Sequence, residues 1–210
     1  MQVRPLSFEA LADTVTERAA RLPAPEGGRL RLAVDGAPAA HPAELADAVA
    51  ERLRLLGRPA LRISADSFLR PASLRLEYGH QDPDAYYDGW LDANALFREV
   101  FDPLEPGGSG LVLPALRDAR ADRALRTAPV ALPPGGVLVL DGPLLLGRWF
   151  PLDLTVHLHL SPAALARRTP AEQQWTLPAF ARYQDEARPA EAADLVVRAD
   201  DPRRPALVVD

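Results

Sequence analysis

The sequence predicts a single α/β domain built on a mostly parallel sheet with helices on both faces. Three observations carry that prediction. Short, strongly apolar segments at 30–34, 137–140 and 154–160 have the near-continuous hydrophobicity of strands buried on both sides. Stretches of helical periodicity stand between them, and capping or turn residues mark the joints. The 210 residues suit one domain with a sizeable core, and neither an internal repeat nor a second domain divides them.

Taken in order, Ser7 caps a first amphipathic helix that runs to about Leu22, with Phe8, Leu11, Val15 and Ala19 on its apolar face. The Pro/Gly-rich stretch 23–28 ends it, so residues 1–28 read as a helix and linker added to the core of the domain. A strand at 30–34 runs into a turn at Gly36, and a helix follows over 42–56, where proline in the first turn is well tolerated. Gly57, Arg58 and Pro59 turn the chain into a second strand at 60–64. Residues 66–87 are polar and read as irregular; a helix at 92–100 leads into a loop at 103–110. Pro133, Pro134, Gly135 and Gly136 introduce the apolar strand at 137–140, and the strand at 154–160 precedes a helix capped by Ser161. A further helix spans roughly 171–187, and short strands at 194–198 and 206–209 close the domain.

Composition narrows the function classes. A net charge of −5 argues against a general nucleic-acid binder, which would carry a basic face. The absence of cysteine removes thiolate catalysis and thiolate metal sites. No apolar run of signal-peptide or membrane-spanning type occurs, so a cytoplasmic protein is expected. All 24 basic residues are arginine, as a high-GC genome would produce, so the arginine excess is by itself no functional signal.

The missing lysine bears on the turn after the first strand. A phosphate-binding loop of pattern G-x-x-x-x-G-K-[ST] would begin at Gly36, but His41, Pro42 and Ala43 stand where glycine, lysine and serine or threonine are required. Such a loop works by aiming consecutive backbone N–H groups at the phosphates, with lysine on their oxygens and a hydroxyl on Mg²⁺. Pro38 and Pro42 each remove an N–H, and Ala43 has no hydroxyl. Losing the lysine and hydroxyl alone costs roughly 3–6 kcal/mol, on the order of two to four decades in affinity or rate.

Several segments, in order, resemble the uridine kinase family of P-loop kinases, particularly its short bacterial members. The residues concerned are LAVDG at 32–36, ISADSF at 63–68, DPDAYYD at 82–88, LVLDGPLLL at 138–146, LSPAALARR at 160–168 and EARPAEAADLVVRADDPRRP at 186–205. The resemblance covers roughly residues 30–205 and implies a P-loop kinase-like sandwich with a short lid. It implies that Asp66 takes the proton from a substrate hydroxyl and that Asp141 occupies the acidic position ending the Walker B strand. It further implies substrate-side contacts around Tyr86 and in the segment holding Asp118 and Arg120, and phosphate or anion contacts from Gly36 and from lid arginines at Arg167 and Arg168. Apart from the resemblance, His80 and Gln81 are candidate polar substrate contacts, and His41, at a helix N-terminus, is a candidate anion contact. Arg117 stands where family members place an aromatic residue. ATP and Mg²⁺ are the family's cofactors, but the altered loop makes them doubtful here.

The expectation is therefore a divergent uridine kinase-like protein that keeps a pocket for a nucleoside, sugar or phosphorylated metabolite without ordinary ATP-dependent transfer. An active kinase with an arginine-based phosphate site and a non-catalytic binding or regulatory protein are the alternatives. A small-molecule ligand is the expected partner, with no nucleic acid and no membrane; a homodimer is compatible with the sequence. His157 and His159 share one strand face as a metal pair would, but no acidic residue lies near them in sequence, so no metal site is expected. Trp149 and Phe150 are expected to pack the loop after Gly147.

Overall fold

A computed structural model describes residues 2–24 and 27–209. Of the linker expected at 23–28, Pro25 and Glu26 lie outside the described residues. The main sheet has seven strands: β1 (Gln2–Pro5), β2 (Leu30–Gly36), β3 (Ala60–Ser64), β4 (Val137–Gly142), β5 (Leu154–His159), β6 (Leu195–Arg198) and β7 (Ala206–Val209). Their order across the sheet is β1-β7-β6-β5-β2-β4-β3. The run from β6 to β3 is parallel throughout, whereas β7 pairs antiparallel with both β6 and β1. No helix of the described residues is long and apolar enough to cross a membrane.

Strand alternation divides the core. Leu30, Leu32 and Val34 of β2, with Val137 and Val139 of β4, face α1 (Phe8–Arg21) and α2 (Pro42–Leu55). Ser7 caps α1 through its hydroxyl, 3.1 Å from the Ala10 N–H, as expected. Leu138 and Leu140 point the other way, toward Leu96, Val100, Phe101 and Phe150. The helices on this second face are α3 (Pro83–Gly89), α4 (Ala93–Leu96, prolonged by a π-turn Phe97–Phe101) and α6 (Leu177–Glu186). Between β5 and α6 run α5 (Pro162–Arg168), capped by Ser161, and a short 3₁₀ segment at Ala171–Thr176.

Three sequence expectations need correction. The polar stretch 66–87 is not irregular throughout: Asp82 caps α3 by accepting from the Ala85 N–H at 2.7 Å. The strand β1, which pairs with β7, was not anticipated; its residues are all exposed and carry no buried alternation to reveal it. Phe150 is buried as expected, but Trp149 is 93% exposed, on a left-handed backbone with φ of 60°.

Candidate functional site

The parallel strands deliver their C-terminal ends to one edge, where open α/β sheets place ligands. A cleft of about 1010 Å³ opens there. Asp66 lies in it because β3 ends at Ser64 and the chain turns at once into a 3₁₀ helix, Ala65–Phe68. Phe68 is fully buried and anchors the turn. Two backbone bonds pin it: Leu116 N–H donates to Ser67 O at 3.1 Å, and Asp92 N–H to Phe68 O at 2.8 Å. The Asp66 carboxylate keeps solvent access, yet the surrounding walls displace enough water to raise its pKa, with the Arg62 charge opposing. Burial, reinforced by the Asp66 charge, also raises the pKa of the Tyr86 phenol.

One wall is aromatic. Tyr86 packs edge-on against Trp90 at 5.1 Å and against Trp175 at 5.6 Å between ring centres. The Trp90 indole Nε1 is buried without a hydrogen-bond partner among the described residues. Among the charged residues of the lining, arginine prevails: Arg117, Arg120, Arg148 and Arg168 face only Asp66 and Asp118, and His41 lies at the rim of the loop. Arg148 donates to the carbonyls of Leu144 (2.6 Å) and Tyr87 and has no carboxylate within ion-pair distance among the described residues. Burial lowers its pKa, the response of a guanidinium that has lost water without gaining a counter-ion. Arg168 is tied by Nη1 to Ala199 O at 2.7 Å.

Of the residues singled out in sequence, the structure brings Asp66, Tyr86, Asp118, Arg120, His41 and Arg168 to this cleft. It does not bring the others there. His80 and Gln81 sit exposed in the turn before α3, and Arg167 projects into solvent from α5. Asp141 is buried at the end of β4, where Arg62 Nε approaches its Oδ1 at 2.7 Å. Burial pushes its pKa up to about 6, with Arg62 pulling the other way. Gly36 lies beneath the turn, where β2 packs closely on β5: a side chain there would meet Leu158 Cβ at 3.0 Å. Trp175 and Arg148 line the cleft without having been anticipated, because they reach it from a lid and a loop with no strand or motif to mark them.

The loop between β2 and α2 is turned in on itself. Pro38–Ala40 forms a 3₁₀ turn, with the Ala40 N–H donating to Ala37 O at 2.8 Å and the His41 N–H to Pro38 O at 3.0 Å. The Glu44 N–H is engaged by His41 O at 3.2 Å. His41 holds φ 56° and ψ 51°, a left-handed conformation that suits glycine. Behind this loop, the β2–β5 register sets Asp35 beside His157. Asp35 is fully buried; its Oδ1 accepts from Leu145 N–H at 2.9 Å and its Oδ2 lies 2.6 Å from His157 Nδ1.

A parallel sheet of this order, with a loop-to-helix turn after the central strand and an aspartate ending its neighbour, is the architecture of a P-loop kinase. More particularly, it is the fold of the uridine kinase-like P-loop kinases. The chain superposes with a TM-score of 0.73 and 20% identity on a protein described as a possible uridine kinase from Bacillus stearothermophilus, covering 90% of this chain and 98% of that one. It matches a protein described as a putative fructose transport system kinase from Silicibacter sp. TM1040 with a TM-score of 0.57 and 25% identity, covering 90% and 95% of the two chains. A third similar structure, the YGR205w protein, gives 0.58 at 9% identity over 98% of this chain and 100% of that one. A scan against protein-family models finds no match, and a search of curated proteins finds none.

Proposed function

We propose that this protein binds a small, anionic or phosphorylated metabolite in the Asp66 cleft and does not carry ordinary ATP-dependent phosphoryl transfer at the Gly36–Ala43 loop. One observation carries the reading: the cleft stays open and furnished with polar groups, while the adjoining loop turns the Ala40, His41 and Glu44 N–H groups onto its own carbonyls. Mg²⁺–ATP is a poor fit to that loop. No lysine exists in the chain, Ala43 has no hydroxyl for the metal, and Pro38 and Pro42 supply no N–H. The aspartate ending β4 is already faced by Arg62, which answers a carboxylate that would otherwise attract a cation.

The lining chemistry indicates the ligand class. An excess of arginine over carboxylate favours a ligand that brings its own negative charge, and Arg148 and Arg168 are placed to meet it. The Tyr86, Trp90 and Trp175 rings offer a face to a sugar or a planar base. Asp66, with its pKa raised, is suited to accept a proton from a hydroxyl or a water held near it. Carboxylate base chemistry does not depend on ATP, so this role is separable from the loop.

A second reading, a working kinase with an arginine-based phosphate site, is favoured by the same Arg148 and Arg168. The two are separated by calorimetry with nucleosides, sugars and their monophosphates, each with and without Mg²⁺–ATP. We expect saturable binding of a phosphorylated compound that ATP neither strengthens nor consumes. Binding only of the unphosphorylated forms, with ATP turnover, would favour the kinase. No binding of any of them would leave the non-catalytic reading in front.

A further inference from the structure

A second cavity, of about 560 Å³, lies behind the loop, between β5, α5 and α6. Its wall is mostly apolar, with Leu160, Leu165, Leu177 and Phe180, and its polar side chains are His157, His159, Gln184 and Tyr183, whose phenol oxygen accepts from the Leu146 N–H at 2.9 Å. It shares only Ala37 and Phe180 with the Asp66 cleft and has its own polar groups. His157 is 3% exposed. A carboxylate only accepts, so the His157 Nδ1 at 2.6 Å from Asp35 carries the proton, and in the neutral ring Nε2 is left as an acceptor. That Nε2 has no hydrogen-bond partner among the described residues. Neither has Nδ1 of His159, whose ring centre is 5.9 Å away on the same strand face. Burial lowers the His159 pKa.

Two histidines that line one apolar cavity each leave a ring nitrogen unmet, and a buried polar group without a partner is costly. The cavity falls within the ~300–1,000 Å³ of small-molecule sites, which are apolar with a few convergent polar groups. No set of three or more His, Cys, Asp or Glu among the described residues is able to hold a metal ion, so an organic ligand fits better than a cation.

We propose that this cavity is a second small-molecule site, for a flat, mostly apolar compound whose hydroxyl or ring N–H donates to the His157–His159 pair. Asp35 positions the His157 ring and fixes its tautomer, so that the acceptor nitrogen is the one left for the ligand. The Phe180 and Tyr183 rings and the leucines of the wall supply the apolar contact.

The test uses 2-naphthol, and 2-methoxynaphthalene as a probe of the same shape without the donor, followed by ¹⁵N NMR of the histidine side chains. The chain has only 4 histidines, which makes the assignment direct. We expect 2-naphthol to saturate, to shift the His157 and His159 nitrogens while leaving His41 and His80 unmoved, and to bind about tenfold more tightly than the ether. Ala181→Trp, at an exposed position on the cavity wall, should weaken binding at least about tenfold without unfolding the protein. Asp66→Asn should leave it unchanged, so the result stands apart from the fate of the first cleft. Absence of saturation, equal affinity for the two probes, or shifts centred on His41 would each overturn the proposal.

Discussion

Replacing Asp141 by asparagine tests the electrostatics of the β4 end with a workable magnitude. The carboxyl is buried beside Arg62, and its pKa rises from the usual 3.8 to about 6 because burial outweighs that ion pair. The folded protein therefore holds this proton more tightly than the unfolded chain does. The sign follows from linkage: the stabilisation is complete below about pH 4, the unfolded value, and is lost as pH rises through about 6, the folded one. A difference of about two pH units corresponds to roughly 3 kcal/mol. Asparagine is nearly isosteric, keeps an oxygen for Arg62 Nε and does not ionise. Urea unfolding of both proteins between pH 4 and pH 7.5 is the assay. The stability of the wild type relative to Asp141→Asn should fall by about 2–3 kcal/mol across that range, with equal m-values. A relative stability that stays level, or rises with pH, would refute the reasoning: it would mean that Arg62 holds Asp141 ionised.

Other expectations bear on the cleft and the loop. Asp66→Asn should abolish turnover of the true substrate while shifting the melting temperature little, because the side chain is exposed on a turn held by Phe68; an unfolded variant would make Asp66 structural, and full activity would place the chemistry elsewhere. The triple variant His41→Gly, Pro42→Lys, Ala43→Ser should raise Mg²⁺-dependent ATP affinity, measured by calorimetry, since glycine suits the left-handed backbone already present at position 41. Unchanged affinity would show that the inward-turned amides dominate. Gly36→Ala should destabilise the protein by about 1–3 kcal/mol in thermal or urea unfolding, because its Cβ meets Leu158 Cβ at 3.0 Å. An undiminished stability would mean that β5 gives way.

The fold was legible where local chemistry and burial agree. The apolar runs gave β2, β4 and β5, and their ends were misjudged mainly where the strands continue into polar residues: β2 extends through Asp35 to Gly36, and β4 through Asp141 to Gly142. Ser7 and Ser161 marked two helix starts as capping residues do. The site was legible only in part. Asp66 follows a strand directly, so its placement could be read; Arg148 and Trp175 enter the cleft through tertiary packing alone. The Asp35–His157 pair was hidden for the same reason. The acidic residue nearest His157 in sequence, Asp153, pairs with Arg31, and the carboxylate that meets the ring arrives across a parallel ladder from a residue 122 positions away.

On the proposed function, the loop after β2 does not grip nucleotide although the neighbouring cleft binds a ligand. Calorimetric titration of the protein with ATP in the presence and absence of Mg²⁺ tests it most directly. We expect no saturable heat up to millimolar ATP and no dependence on Mg²⁺, since lysine and the metal hydroxyl are missing and the Ala40, His41 and Glu44 amides are already engaged. A micromolar, Mg²⁺-dependent affinity would contradict it and would favour the active-kinase reading.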